Sequence, residues 1–421
     1  VRINSGLRRL MNSIRLLVDA AKHLPEGELR RNEIRYALEE CMAAAYDLPQ
    51  ESWHIEEPWI QLQDLLRERV GKYAPNVETD GRMIMVGQSH IDLAWLWPVR
   101  ETVRKTSRTF STMCTLLEQY PEFVYTQSQP QLFAYVKDHY PELYAKIKRY
   151  VAEGRWELVG GMWIEPDLNI PSGESLARQL LYGQRFYREE FQQTSSIEWL
   201  PDTFGYAASL PQLLRQAEID YFMTTKLNWN DTNVFPYDLF QWVGIDGTPV
   251  LSYLNHGVNE STTVKDIDEH WQSFRQKEVP PEQMLLYGHG DGGGGVTEPM
   301  VEYVEHAEWM IGQPKAEFGT AKEFFENARQ QEDEFPVWRG DLYLELHRGT
   351  YTTQAWNKRY NRKAEILYRE AEVWERLAHL QLGVSSLAIA EEMGAFTDGS
   401  TSQQGQKADG ANAVSSPNTD D

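Results

Sequence analysis

Cysteine is nearly absent: Cys41 and Cys114 are the only two in 421 residues, too few for a disulfide framework or a thiolate metal cluster. A reducing, cytoplasmic setting is the expectation. No stretch reaches the ~18 consecutive apolar residues that a spanning helix needs, and Val1-Arg2-Ile3-Asn4 lacks the apolar core of a signal peptide. The chain is therefore expected to be unexported, with no membrane partner. Positive charge is scarce too. Against 63 Asp and Glu stand 41 Lys and Arg, a net charge of −22, so a phosphate backbone would be repelled and nucleic acid is excluded as a partner. The acid excess is spread along the chain, as on a hydrated acidic surface.

The commonest catalytic signatures are also missing. The chain has no Walker lysine, no HExxH, no HxxxH and no GxSxG, which removes the usual phosphate, zincin and serine-hydrolase chemistries. Gly290-x-Gly292-x-x-Gly295 has the spacing of a dinucleotide fingerprint. Asp291 inside that loop would oppose a pyrophosphate, however, and the strand before it falls late in its domain rather than opening it.

What is present divides into four regions. Residues 1–78 carry apolar positions at helical spacing (Leu7, Leu10, Met11, Ile14, Leu17 and Val18, then Ile34, Leu38, Met42 and Ala45) and read as an N-terminal helical accessory layer. Residues 79–345 alternate short apolar runs with long amphipathic stretches. That texture predicts an α/β catalytic domain of the parallel-sheet (β/α)7 type, with strands at 83–86, 123–126, 156–159, 197–200, 221–224, 250–253 and 284–287. Residues 346–394 read as the start of a C-terminal helical bundle. Residues 395–421, rich in Gly, Ser, Gln, Asn and Asp, read as a disordered polar tail.

Chemistry collects where predicted strands end. The first is followed by Gly87-Gln88-Ser89-His90-Ile91-Asp92-Leu93-Ala94-Trp95, the fourth by Pro201-Asp202-Thr203-Phe204-Gly205-Tyr206, and the last by Gly288-His289-Gly290-Asp291 and four glycines. In a parallel α/β sheet the strand C-termini open onto one face, so these segments should converge. His90 and Asp92, two apart on extended backbone, point the same way and can bind one cation. Asp202 can add a third donor, and one nitrogen with two carboxylates suits Zn²⁺, with Mn²⁺ and Co²⁺ also compatible. Asp202 and Asp291 form the kind of carboxylate pair that glycoside hydrolysis needs, about 5–5.5 Å apart for retention of configuration. Trp95, Trp163, Trp199 and Trp229 lie at or beside strand ends, where a ring either stacks on a sugar or simply packs in the core.

These segments, together with Leu346-His347-Arg348-Gly349-Thr350-Tyr351-Thr352-Thr353, resemble glycoside hydrolase family 38, the α-mannosidases, most of all its cytosolic and microbial branch. The likeness runs from about residue 80 to 390. It implies a retaining, zinc-dependent exo-α-mannosidase that acts on an oligosaccharide or mannoside through a covalent glycosyl-enzyme. By matching position, His90, Asp92 and Asp202 would be metal ligands, with Asp202 also the nucleophile and Asp291 the acid/base. Trp95, Lys226, His289, His347 and Tyr351 would bind substrate, Trp95 as the sugar platform and Lys226 as a cation beside the nucleophile. One departure stands out: the family's fourth zinc ligand, a His in a downstream His-Asp motif, has no counterpart here. The resemblance thus implies an N-terminal portion of a larger enzyme, or the product of a split reading frame, whose partner is a missing C-terminal half or a second copy in a homo-oligomer. Two rival readings keep their place: a metal-dependent carbohydrate deacetylase, and an inactive sugar-binding fragment.

Overall fold

The computed structural model describes residues 4–72, 81–276, 282–311 and 313–382. The polar tail expected at 395–421, and the end of the expected helical bundle, lie outside them.

Ten strands are present among the described residues: β1 (Arg82–Gln88), β2 (Tyr125–Gln127), β3 (Trp156–Leu158), β4 (Ile197–Trp199), β5 (Tyr221–Thr224), β6 (Leu239–Val243), β7 (Pro249–Leu254), β8 (Glu282–Tyr287), β9 (Lys315–Phe318) and β10 (Val337–Arg339). One sheet runs β3-β2-β1-β8, with β9 also on β1; the other runs β10-β6-β7-β5-β4. The seven strands expected from sequence are joined by parallel pairing, β1 to β2 and β8, β2 to β3, β4 to β5 and β5 to β7, and β9 on β1 and β10 on β6 are parallel too. The three additions include β6, which turns back antiparallel on β7.

Alternation along the strands explains how the sheets pack. Successive side chains point to opposite faces, and on β1 Met83 and Met85 join the helix-covered core while Ile84 and Val86 join a second, inner core. β8 splits the same way, with Leu285 and Tyr287 outward and Met284 and Leu286 inward. Ile197 and Trp199 of β4 and Tyr221 and Met223 of β5 close that inner core from the other sheet. The sheets are stitched where β3 meets β4, the Gly160 N–H donating to the Ile197 carbonyl at 2.8 Å. Both sheets thus share one interior, and their strand ends share one rim.

The N-terminal layer consists of α1 (Ser5–His23), α2 (Leu29–Tyr46) and α3 (Glu57–Gly71). Asn4 starts α1, its Oδ1 accepting from Leu7 N at 3.0 Å. Leu17 and Leu66 are fully buried here with Ile34, Trp309 and Ile311, each such side chain contributing roughly 1.5–3 kcal/mol. The buried faces are turned from those expected: Met11 and Met42 are exposed, while Ser13 and Asn12 on α1 and Cys41 on α2 are buried. The reason is polar pairing, since Asn12 Nδ2 donates to Glu302 Oε2 at 2.7 Å and Ser13 Oγ lies 2.9 Å from His306 Nε2. Cys41 and Cys114 are both free and buried. Among the described residues no helix is long and apolar enough to cross a membrane.

Compactness divides the chain between Thr353 and Gln354. Beyond that point the helix Ala355–Leu382 carries an aromatic stack, Trp356 on Tyr360 with ring centres 5.7 Å apart.

Candidate active site

Strand ends of both sheets, with the loops that follow them, build the site. β1 runs straight into Ser89-His90, which puts the His90 ring at the rim with its side chain only 2 % exposed. Asp202 follows β4 on a segment laced to β5: Leu200 N donates to the Met223 carbonyl at 3.0 Å, and the Thr225 hydroxyl donates to the Pro201 carbonyl at 2.9 Å. That lacing carries Lys226, one residue further on, against Asp202, where the two form an ion pair. The Lys226 ammonium is 2 % exposed and also sits 3.5 Å from the Trp229 ring centre, so both its charge and its stem are held.

The glycine run after β8 sets Asp291. His289 and Gly295 exchange backbone hydrogen bonds at 2.7 and 2.8 Å, pinching 290–294 into a tight loop. Gly293 has φ +72°, and a Cβ there would lie 2.8 Å from Ile91 Cγ1. Glycine is required because the loop presses on the residue next to His90. Lys105 Nζ and the Thr109 hydroxyl donate to the Gly292 and Gly293 carbonyls. Asn259 holds Asp291, accepting its N–H at 2.8 Å and donating to its Oδ2 at 2.6 Å.

His90, Asp92, Asp202, Asp291 and Lys226 therefore come together, whereas among the described residues Trp95 and His289 make no hydrogen bond, ion pair or ring contact with them. His90 Nε2 lies 3.4 Å from Asp92 Oδ1 and 3.6 Å from Asp202 Oδ2. One donor atom each of His90, Asp202 and Asp291 lie within 4.8 Å of one another. A cavity of about 370 Å³ opens there, lined by His90, Asp92, Glu165, Asp202, Phe204 and Tyr351 among others. The Tyr351 hydroxyl donates to the Phe204 carbonyl at 2.6 Å, and the His347 ring packs on Phe204 at 4.8 Å between centres. His289 is exposed at the loop base. Trp95 is 66 % exposed and meets Trp97 edge-on. Of the other tryptophans considered, Trp199 is a core residue at 2 % exposure, and Trp163 donates its indole N–H to Gln131.

Glu165 was not anticipated. It follows β3 in Trp163-Ile164-Glu165-Pro166, and its Oε1 lies 3.3 Å from His90 Nδ1. Gln129, with φ +67°, donates to the Ile91 carbonyl at 2.9 Å and to Glu165 at 3.4 Å. An acid after a strand end was a signal for Glu165. For Gln129 and Asn259 no sequence signal existed, because only the tertiary fold brings them to the site.

The site's electrostatics suit a dication. Asp92, Glu165, Asp202 and Asp291 surround His90, with Lys226 the ammonium ion-paired to Asp202. Burial opposes charge on His90, yet Glu165, Asp202 and Asp92 outweigh it and push the imidazole well above its usual pKa. Burial likewise opposes the Asp202 charge, but His90 and Lys226 prevail and hold it below the usual carboxylate range. Burial raises Glu165. Both His90 ring nitrogens are buried without a hydrogen-bond partner among the described residues. The Nε2 separations from Asp92 and Asp202, 3.4 and 3.6 Å, are near the ~3.3–3.4 Å between ligands on a tetrahedral ion with bonds of about 2.0–2.1 Å. The donor set fits zinc.

Residues 80–341 match the Glycosyl hydrolases family 38 N-terminal domain, and residues 345–408 match the Alpha mannosidase middle domain. The chain belongs to glycosyl hydrolase family 38. Among its relatives, Alpha-mannosidase G of Dictyostelium discoideum is 39 % identical over 88 % of this chain and 34 % of its own length. The human Alpha-mannosidase 2C1 is 40 % identical over 69 % of this chain and 28 % of its own. This family 38 chain thus spans about a third of the length of the curated relatives it matches. In fold it is similar to the crystal structure of an alpha-mannosidase from Enterococcus faecalis, with a TM-score of 0.54 and 17 % identity over 62 % of this chain and 31 % of that one.

Proposed function

We propose that this chain carries the catalytic machinery of a retaining exo-α-mannosidase that removes terminal α-linked mannose from an oligosaccharide or mannoside. The observation that carries the reading is the approach of one donor atom each of Asp202, Asp291 and His90 to within 4.8 Å of one another. That is close to the spacing of a retaining carboxylate pair. Family membership and relatives that are α-mannosidases by name supply the sugar.

In the first step an Asp202 oxygen forms a bond to the anomeric carbon as the bond to the leaving oxygen breaks. Asp291, protonated, gives its proton to that oxygen. Water then attacks the same carbon, Asp291 takes the water's proton, and Asp202 leaves as a carboxylate. Lys226 keeps Asp202 ionised for attack, and Asn259 keeps the Asp291 carboxyl in position. His90, Asp92 and Asp202 would hold one Zn²⁺, with Glu165 orienting His90 from Nδ1. Zinc bound there supplies positive charge for the sugar hydroxyls. Trp95, His347 and Tyr351 shape the mouth, with His289 at its edge. We place the protein in the cytoplasm, for which the two free, buried cysteines are the support.

The test is turnover of a chromogenic α-mannoside with added Zn²⁺. The reading expects cleavage that Asp202→Asn abolishes. Acetate release without glycosidic cleavage marks a deacetylase instead, and mannose binding without turnover by the complete protein marks a sugar-binding remnant.

A further inference from the structure

A second group of metal-ligating side chains stands apart from the cavity. His256 follows β7, Glu260 lies four residues on, and His270 belongs to the helix Val264–Ser273. One donor atom from each lies within 4.8 Å of the others. Both imidazoles aim the same nitrogen at one carboxylate: His256 Nδ1 is 2.8 Å from Glu260 Oε1, and His270 Nδ1 is 2.9 and 3.0 Å from its two oxygens. The rings stand at 81° to each other with centres 5.8 Å apart, so they meet edge to face and do not stack.

We propose that His256, Glu260 and His270 form a second divalent-metal site, independent of the His90 site, which takes a borderline cation such as Zn²⁺ and clips the loop after β7 to the helix Val264–Ser273. Two imidazoles and one carboxylate are a donor set that zinc uses elsewhere. Hard cations such as Mg²⁺ and Ca²⁺, which seek oxygen-only cages, are disfavoured by the two nitrogens. The site is graded in depth: His270 is 3 % exposed, Glu260 14 % and His256 54 %. A cation therefore enters past His256 and meets a prearranged pair behind it, and a fourth position faces solvent.

Binding replaces the imidazole-to-carboxylate hydrogen bonds by ligand bonds. A charged ring releases its Nδ1 proton to water and a neutral one moves it to Nε2 through water, so each ring binds as the tautomer with its proton on Nε2, and the three donors spread by a few tenths of an ångström toward the ~3.3 Å ligand spacing of a tetrahedral ion. The clip has a structural reach. The Glu260 carbonyl accepts from Gly288 N at 3.1 Å, and the preceding residue is the Asn259 that grips Asp291. Metal at this site therefore stiffens the backbone that holds the acid/base loop, without touching substrate.

The experiment is Zn²⁺ titration of the chain against a chromogenic chelator, with Co²⁺ absorption as a second readout. The double variant His90→Ala/Asp202→Asn removes the other site. In that background the proposal expects one equivalent of Zn²⁺ and a visible Co²⁺ band of a site containing nitrogen. Adding His256→Ala, a largely exposed change that spares the fold, weakens Zn²⁺ binding at least about tenfold and removes the band; Glu260→Gln does the same. No stoichiometric Zn²⁺ in the double variant, or equal affinity with and without His256→Ala, overturns the proposal and leaves the three residues a hydrogen-bonded triad. Neither outcome depends on whether the chain cleaves mannosides.

Discussion

Asn259 grips Asp291 at two points: its Oδ1 accepts the Asp291 backbone N–H at 2.8 Å, and its Nδ2 donates to the Asp291 carboxylate at 2.6 Å. One amide thus fixes both the main chain and the side chain of a residue in a loop whose glycines would otherwise let it wander. A general acid works only from hydrogen-bond reach of the leaving oxygen, so this grip matters to rate more than to binding.

Replacing Asp291 by Asn should lower kcat by roughly 10²–10⁴ on an alkyl mannoside. An activated aryl mannoside needs no proton to depart and should lose far less in its glycosylation step. Asn259→Leu should lower kcat by about 10²-fold or less while KM stays nearly constant, the signature of a misplaced group. Equal losses on both substrates for Asp291→Asn would remove it from the acid role.

Lys226 makes a prediction about pH. Asp202 must be ionised to attack. Burial works against that charge, and His90 together with Lys226 holds the carboxylate below its usual range. In Lys226→Met one of the opposing cations is gone, so the Asp202 pKa rises and the acidic limb of the kcat/KM profile moves to higher pH. The profile is read with Zn²⁺ saturating. An acidic limb that stays in place shows that Asp202 does not set it.

His306 makes a prediction about stability. It is packed under α1, with Ser13 Oγ 2.9 Å and Gln63 Nε2 3.3 Å from its Nε2. Burial above all, with Arg9 and Arg67 adding to it, lowers its pKa from 6.5 to about 3. Below pH 6.5 the unfolded chain therefore binds a proton that the folded chain refuses, so stability falls as pH drops from about 6.5 toward 3 and is intact above 6.5. His306→Gln keeps a polar partner for Ser13 and should flatten that slope. Melting temperatures at pH 7 and pH 5 check it: the gap between the two should shrink in the variant, and an unchanged gap assigns the acid sensitivity elsewhere.

Gly293→Ala tests the loop itself. With φ +72° and a Cβ forced to 2.8 Å from Ile91, alanine costs about 1–2 kcal/mol of strain and pushes the loop off the residue beside His90. Activity should fall more than stability. Gly27→Ala serves as the control. It shares a positive φ of +86° but has nothing within 4 Å, so it should cost stability alone.

The core strands were legible because each buried run is short and mostly apolar, several of them followed at once by glycine or proline, as after Met83–Val86, Ile197–Leu200 and Met284–Tyr287. β9, Lys-Ala-Glu-Phe, and β10, Val-Trp-Arg, were not legible, since charged residues break their hydrophobic pattern. β6 did carry a signal: Leu-Phe-Gln-Trp-Val leads into Asp246-Gly247, where Gly247 has φ +89° and the Thr248 N–H bonds Asp246 Oδ1 at 2.9 Å. An Asp-Gly pair between apolar runs marks a hairpin. At the site, His90, Asp92, Asp202 and Asp291 were readable from strand-end position alone. The pairs Glu165 with His90 and Asn259 with Asp291 span 75 and 32 residues of chain, and only the closed arrangement of the sheets brings them together.

Covalent trapping tests the central claim most directly. A fluorinated α-mannosyl fluoride, which forms the glycosyl-enzyme quickly and hydrolyses slowly, is incubated with the protein and Zn²⁺ and the peptides are mapped by mass. The account predicts one mannosyl adduct, on Asp202, that is lost in Asp202→Asn. An adduct on any other carboxylate, or an Asp202→Asn protein that still turns over mannoside at the parent rate, contradicts it.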